Sequence, residues 1–162
     1  VSWNGGGFDL PVLHYRGLIH GISAPRYWDL GDGDYADSRD FKWNNYISRY
    51  HTRHLDLMDL MALYQPLANA PLDDLAKLAG FPGKLGMDGG KVWDGWHAGE
   101  IDGIRDYCET DVMNTFLVSL RFRLMRGELS REDYAQEIEF VRGELARLNK
   151  PHWNEFLAAW PI

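Results

Sequence analysis

The chain has 162 residues, of which 45% are hydrophobic and 14% aromatic, with no repeated or low-complexity tract, so one globular domain with a buried core is expected. Its net charge of −7 argues against a protein that coats duplex nucleic acid by bulk electrostatics, and any polyanion must meet a local basic patch or bound metal ions. A single cysteine, Cys108, rules out an internal disulfide. Neither a membrane span nor a signal segment is present in the sequence, which favours a soluble cytoplasmic protein.

The first segment combines a short strand, a glycine turn and a helix. Val1–Trp3 is β-prone, Asn4–Gly7 allows a tight turn, and a helix with Pro11 in its first turn is predicted to end near Gly21. This order places Asp9 at the carboxyl end of a strand, where open α/β sheets bind ligands. The same position suits a carboxylate that merely stabilises the helix dipole, so both interpretations stay open.

A long loop follows from Ser23 to Arg53. Its aspartates lack the spacing of a calcium-binding loop, and we expect them to be solvated: Asp29, Asp32, Asp34, Asp37 and Asp40. The end of the loop mixes cations with rings, in Arg49, Tyr50, His51, Arg53 and His54. Such a composition suits phosphate contact and base stacking, although a plain surface segment has the same composition. The two histidines alone are a weak signal for zinc.

The middle of the chain predicts a second strand and two short helices. Residues 54–57 form the strand, which should pair in parallel with the first, and helices cover residues 59–64 and 71–80. A glycine-rich loop over residues 81–99 contains two lysines that could approach a phosphate or simply be solvated, Lys84 and Lys91.

The longest predicted helix runs from Ile101 to Arg126 and is closed by Gly127. Apolar residues recur about every four positions and predict a buried stripe of Ile104, Cys108, Val112, Phe116 and Leu120. Tyr107 and Asp111 are four residues apart and therefore project from one face. Taken alone, they could be a packing residue and a solvated charge.

Two further helical segments complete the chain. Ser130 is predicted to cap a helix over residues 131–149, with Asp133 where a capping box usually has Glu or Gln. The apolar segment Pro151–Ile162 is predicted to dock on the domain.

Two motifs together carry a family resemblance. Asn4-x-x-x-Phe8-Asp9 after a strand and Tyr107-x-x-x-Asp111 on a helix resemble the second and third motifs of the DEDDy-type 3′–5′ exonucleases. The blocks WNGGGFDLPVL, HLDLMDL, PLDDLAKLAGFPGK and IRDYCETDVMNT are similar to those of the bacterial predicted 3′–5′ exonucleases related to the proofreading domain of family B DNA polymerases. This resemblance covers about residues 1–130.

The resemblance implies a ribonuclease H-like α/β fold that is rich in helices, together with the activity of a nuclease. A 3′–5′ exonuclease would release nucleoside monophosphates from single-stranded 3′ ends, with DNA favoured over RNA. By carry-over, Asp9 and Asp111 would bind Mg²⁺ or Mn²⁺ in a two-metal site, and Tyr107 would orient the attacking water. The substrate contacts would be Asn4, Phe8, Arg53 and Lys84.

One departure from the family pattern is serious, because its first motif, D-x-E, does not occur in the sequence. Either the motif lies upstream of Val1, which would make this a fragment lacking the N-terminal strands, or the protein is a non-catalytic nucleic-acid or protein-binding module. We favour the fragment, because the first residue is not Met and the strand is already under way. The fragment alone should be a poor enzyme, and its exposed sheet edge favours a homodimer.

Overall fold

A computed structural model describes residues 1–161, which form two compact units, one from Val1 to Asn69 and the other from Ala70 onward. Helices dominate both units. None of the helices within residues 1–161 has the length and apolar character that a membrane crossing requires. The single domain expected from the sequence stays a prediction, since each unit is compact by itself.

The first unit contains three helices, α1 (Asp9–Ile19), α2 (Ser38–Phe41) and α3 (Leu57–Met61), and a 3₁₀ turn at Pro66–Ala68. Helix α1 has the predicted extent. Helix α3 begins two residues before the predicted start because Asp56 caps it. It also ends early, because Leu63 and Tyr64 have φ angles of 50° and 58°, outside the helical region.

The two predicted strands are reduced to one parallel bridge between Ser2 and Asp56. The Ser2 N–H donates to the Leu55 carbonyl at 2.9 Å, and the Leu57 N–H donates to the Ser2 carbonyl at 3.0 Å. The parallel direction is confirmed, but no strand forms among residues 1–161. The pairing stops because the chain turns at Asn4, with φ at 62°, and enters α3 directly after Asp56. The α/β layering therefore stays a prediction.

The acidic loop of the first unit folds around Asp29, which is only 5% exposed. Its carboxylate accepts the N–H groups of Gly31 at 2.8 Å and Gly33 at 3.3 Å and pairs with Arg26 at 2.6 Å. The prediction that Asp29 is solvated is wrong, because a short carboxylate can bind the backbone two and four residues ahead. It is confirmed for Asp32, Asp34 and Asp40, which are exposed. Asp37 is exposed as well but pairs with Arg26.

Phe41 is the largest buried side chain of the first unit. The guanidinium groups of Arg26 and Arg53 lie 3.6 and 3.5 Å from its ring centroid. Two cations at that distance cannot share one face of a ring, so they cover opposite faces. Cation–π contact therefore supplies much of the packing around this ring.

The second unit contains five helices, α4 (Leu72–Leu78), α5 (Val92–His97), α6 (Ile101–Met125), α7 (Arg131–Leu148) and α8 (Pro151–Ala159). A 3₁₀ turn at Gly89–Lys91 precedes α5. Helix α6 is central, since α4, α5, α7 and α8 all pack against it. The extents predicted for α4, α6 and α7 are confirmed to within two residues.

The capping box of α7 forms with an aspartate. The Asp133 N–H donates to the Ser130 hydroxyl at 3.0 Å, and the Ser130 N–H donates back to the Asp133 carboxylate at 3.3 Å. The docking of the last segment is confirmed as well. Trp153, Phe156 and Trp160 on and after α8 are buried and meet edge to face, while Ile162 lies outside the described residues.

The buried face of α6 differs from the predicted stripe. Cys108 is exposed, and Val112 and Phe116 are 68% and 41% exposed. The residues that are buried are Thr110, Asn114, Leu117, Val118, Ser119, Leu120 and Phe122. A spacing of four overshoots one helical turn by about 40°, so a long row at that spacing drifts around the helix. The prediction of a buried Cys108 is therefore wrong.

Candidate active site

The turn before Asp9 depends on a glycine. The Phe8 N–H donates to the Asn4 carbonyl at 3.0 Å, and the Leu10 N–H donates to the Gly5 carbonyl at 2.9 Å. A Cβ atom on Gly5 would lie 2.2 Å from the Ser2 hydroxyl oxygen and 2.7 Å from the Ser2 Cβ, so a larger residue here would displace Ser2. The turn ends at Asp9, the first residue of α1, whose side chain is exposed.

Asp56 fastens this turn from the other side of the parallel bridge. One of its carboxylate oxygens accepts the Asn4 N–H at 3.0 Å and the Met58 N–H at 3.2 Å, and the other accepts the Gly6 N–H at 2.7 Å. The same side chain thus caps α3 and fixes the turn that carries Asp9. Both roles of Asp56 were missed from the sequence, which placed this residue inside a predicted strand.

Three of the predicted site residues meet in the second unit. The Lys84 ammonium donates to the Tyr107 hydroxyl oxygen at 3.1 Å and lies 3.5 Å from an Asp111 carboxylate oxygen. Burial opposes the charge on Lys84, but the hydrogen bond to Tyr107 and the attraction of Asp111 outweigh it and raise the pKa of Lys84. The group is therefore a cation between a phenol and a carboxylate.

Asp111 has the donor that a divalent metal ion needs. Its Oδ1 atom is buried and has no hydrogen-bond partner among residues 1–161. The Lys84 ammonium attracts this oxygen without the geometry of a hydrogen bond. A desolvated carboxylate oxygen that accepts no hydrogen bond is costly, and Mg²⁺ or Mn²⁺ would coordinate it favourably. Asp111 therefore fits the metal-ligand role, and exposed Asp9 has the same donor chemistry.

Asn114 and Asp73 hold Lys84 in place. Asn114 is fully buried, and its side-chain amide donates to the Gly83 carbonyl at 2.7 Å while accepting the Gly83 N–H at 3.1 Å. The Lys84 N–H donates to the Asp73 carboxylate at 2.7 Å. Gly83 has φ at 75°, which glycine adopts without strain. Both positioning residues were missed from the sequence, because their partners are not local.

The other residues predicted to contact substrate differ in availability. Phe8 is 64% exposed beside Asp9, and Asn4 is half-buried in the turn. The Arg53 guanidinium is engaged, since it lies over Phe41 and donates to the Asn44 carbonyl. Lys91 is exposed and pairs with a nearby aspartate.

The histidine pair of the first unit forms a ring contact. His51 and His54 stack with centroids 6.4 Å apart, and the His54 N–H donates to His51 Nδ1 at 3.2 Å. Burial, followed by the nearby His54 and Arg53, lowers the pKa of His51. This shift favours the neutral imidazole.

Among residues 1–161, one cluster has metal-ligand spacing, and it consists of Asp106, Glu109 and His152. His152 Nε2 lies 2.8 Å from Glu109 and Nδ1 lies 3.4 Å from Asp106. The Lys150 ammonium is 3.3 Å from Glu109. The Arg105 guanidinium pairs with Asp106 at 3.0 Å, so each carboxylate has a cation of the protein beside it, and the contacts of Lys150 and His152 connect the start of α8 to α6.

The first unit carries an exposed carboxylate after a glycine turn, and the second carries a carboxylate–phenol pair on a helix. Hard oxygen donors of this kind are suited to phosphodiester chemistry. Residues 1–160 match the family described as predicted 3′–5′ exonucleases related to the exonuclease domain of PolB, and the chain belongs to this family. The predicted family is confirmed, and the family implies a ribonuclease H-like fold. No curated protein and no solved structure matches the chain significantly.

Proposed function

We propose that the full-length protein is a metal-dependent 3′–5′ exonuclease that releases nucleoside monophosphates from single-stranded 3′ ends, of DNA in preference to RNA, in the cytoplasm. The observation that carries this proposal is the buried Oδ1 of Asp111, which has the Lys84 ammonium nearby but accepts no hydrogen bond among residues 1–161, one helical turn from Tyr107. Asp9 and Asp111 would hold Mg²⁺ or Mn²⁺, ions that activate water and stabilise the leaving oxygen.

Lys84 defines what the Tyr107 hydroxyl can do. Because the ammonium donates to the phenol oxygen, the phenol proton stays free to be donated to another group. Tyr107 can therefore orient a water molecule or bind a phosphate oxygen without being a metal ligand. The positive charge of Lys84 also attracts the phosphodiester that must approach Asp111.

Asp9 would act from a turn rather than from a rigid helix interior. Two backbone N–H groups of the turn, those of Asn4 and Gly6, are held by Asp56. Asp9 thus has a fixed backbone while its carboxylate remains exposed to solvent and ions. We expect this arrangement to orient the carboxylate for metal binding.

Two carboxylates are too few for two divalent ions, and D-x-E does not occur in these 162 residues. We therefore assign the activity to the full-length chain and expect the 162 residues alone to turn over poorly. The absence of D-x-E also favours a second candidate function, a non-catalytic nucleic-acid or protein-binding module, which could pair as a homodimer. A D-x-E strand in the full-length chain would exclude this second candidate.

The test is cleavage of a 3′-labelled single-stranded oligonucleotide by the full-length protein. With Mn²⁺ or Mg²⁺ we expect release of labelled mononucleotide, and with excess chelator we expect none. An RNA strand of the same sequence measures the preference between the two nucleic acids. Cleavage that is undiminished in chelator, or no cleavage with either metal ion, would refute the proposal.

A further inference from the structure

A cavity of about 450 Å³ lies inside the first unit, and its volume is within the range of about 300 to 1,000 Å³ typical of small-molecule sites. Gly6 and Leu10, on either side of Asp9 in sequence, form part of its wall. The cavity is thus continuous with the turn that carries Asp9. It includes none of the residues assigned above to metal binding.

Aromatic and imidazole rings form a large part of the cavity wall. Tyr27 and Tyr46 stack with centroids 4.9 Å apart and planes inclined by 16°. Trp28 packs edge-on against Tyr27 at 5.3 Å and is 53% exposed, so part of its indole is open to a ligand. His14, His51 and His54 also line the cavity. Walls of this kind favour a flat aromatic ligand over a branched aliphatic one, because its faces can stack on theirs.

Polar groups on the cavity wall would fix the orientation of a stacked ligand. The His14 Nε2 atom and the Tyr27 hydroxyl lie 2.9 Å apart, which gives the wall a hydrogen-bonding edge. The Arg49 guanidinium donates to the Tyr64 carbonyl at 3.0 Å, and this bond fixes an exposed cation on the lining. A ligand that combines an aromatic ring, polar ring edges and a nearby anionic group satisfies all these features. Nucleotides have that combination.

We propose that this cavity is a nucleobase-binding pocket, in which an unstacked base lies against Trp28 and Tyr46 while its phosphate contacts Arg49. The base can come from a single strand or from a free nucleoside monophosphate, and both present the same ring and phosphate. This inference rests on the proposed function only in naming the strand as a source. A base held beside Gly6 and Leu10 would anchor the strand close to Asp9.

The test measures binding by the full-length protein in excess chelator, where hydrolysis cannot interfere. A fluorescently labelled single strand is compared with an abasic strand of equal length and charge, and a nucleoside monophosphate is titrated separately. Trp28→Ala removes a partly exposed ring, and Tyr46→Leu keeps bulk but removes an aromatic face. Trp43→Ala is the matched control, because Trp43 belongs to the same unit, is 81% exposed and does not line the cavity.

We expect the normal strand to bind about 5- to 100-fold more tightly than the abasic strand, the range for stacking of one base. Trp28→Ala and Tyr46→Leu should remove most of this difference, and Trp43→Ala should preserve it. Binding of the monophosphate that depends on Trp28 would identify free nucleotide as a ligand, whereas binding of strands alone would identify the strand. Equal binding of normal and abasic strands, with no binding of monophosphate, would overturn the pocket.

Failure of this inference is distinct from failure of the exonuclease proposal. Base-dependent binding without metal-dependent cleavage would refute the exonuclease proposal and support the nucleobase pocket. Metal-dependent cleavage with base-independent binding would refute the nucleobase pocket and support the exonuclease proposal. Circular dichroism of each variant shows whether a loss of binding reflects a lost fold, and Tyr46→Leu serves as the second variant if Trp28→Ala does not fold.

Discussion

The two units are stabilised by different interactions. Phe41, Leu57 and Ala62 are the buried hydrophobic side chains of the first unit among residues 1–161, and all the others belong to the second. The first unit relies on carboxylates that bind backbone N–H groups, as at Asp29 and Asp56, and on cation–π contacts. The second has an apolar core between helices.

This difference determines how the proposed site residues of each unit are positioned. Tyr107 and Asp111 are placed by the geometry of a 25-residue helix that four other helices support. Asp9 depends on a turn that Asp56 holds through hydrogen bonds. Substitutions at Tyr107 and Asp111 should therefore change chemistry without changing folding, whereas substitutions at Asp56 should change both.

Asp111→Asn should have the largest effect, because the amide keeps the shape of the side chain but loses the charge that binds a divalent ion. We expect turnover on a 3′-labelled strand to be abolished, Mn²⁺ affinity in calorimetric titration to fall, and the free energy of unfolding to stay nearly unchanged. Asp102→Asn, on the same helix with a side chain that is 88% exposed, is the control and should behave as wild type. Wild-type turnover in Asp111→Asn would remove the metal assignment.

Tyr107→Phe should have the second largest effect. It removes the hydroxyl and keeps the ring packed, so we expect kcat to fall by about 10- to 1000-fold with metal affinity and stability preserved. Tyr134→Phe is the matched control, since the Tyr134 hydroxyl also accepts a hydrogen bond from a cation, Arg121, at 2.9 Å in the same unit. If Tyr107→Phe cleaved at the wild-type rate, Tyr107 would be a packing residue.

Asn114→Ala tests the buried hydrogen bonds between the Asn114 side chain and the Gly83 backbone in the second unit. It would leave both polar groups of the Gly83 backbone without partners in a buried site, and we expect the free energy of unfolding to fall by about 2 to 4 kcal/mol. Urea denaturation measures this change. Asn154→Ala, at an exposed position on α8, should cost far less. Equal effects of the two substitutions would show that the buried amide does not stabilise the unit.

Asp56→Ala tests the corresponding hydrogen bonds of the first unit, which the Asp56 carboxylate accepts from the turn before Asp9. It frees the N–H groups of Asn4 and Gly6 and removes the cap of α3, but water can reach this half-buried site, so we expect a smaller loss of about 1 to 3 kcal/mol. Mn²⁺ affinity should also fall, because Asp9 loses its fixed backbone. Asp32→Ala, exposed in the loop, is the control. Unchanged Mn²⁺ affinity in Asp56→Ala would show that the turn held by Asp56 does not contribute to metal binding.

Sequence patterns predicted the local features well. Helices α1, α4, α6 and α7 follow from apolar periodicity, from prolines at their starts and glycines at their ends, and from the Ser130 cap, all of which act within a few residues. The motifs also nominated Asp9, Tyr107, Asp111 and Lys84, and the family that they implied is confirmed. The roles of these four residues stay proposals.

The remaining features depend on partners distant in sequence. Asn114 binds a backbone 31 residues away, and Asp56 binds one 52 residues away, so neither bond leaves a local pattern. The grouping of Lys84 with Tyr107 spans 23 residues and arises from the same cause. Asp29 was misjudged for a different reason, because composition alone does not distinguish an aspartate that binds its own loop from one that is solvated.

The smallest predicted effect is on stability and concerns Asp29 in the acidic loop, whose contribution should depend on pH. The N–H of Gly31 is the main cause that lowers the pKa of this carboxyl; burial opposes it, and Gly33, Ser38 and Arg26 assist. A pKa that is lower in the folded protein than in the unfolded chain, where it is about 3.9, gives stability that is present above that pH and lost as pH falls through the folded value. Asp29→Asn cannot titrate, so wild type should exceed it in urea midpoint at pH 7, and the gap should close as pH falls from about 5 toward 2. Asp34→Asn, at an exposed position of the same loop, should show almost no gap at any pH. A gap between wild type and Asp29→Asn that stayed constant across this range would mean that the shape of the side chain, and not its charge, holds the loop.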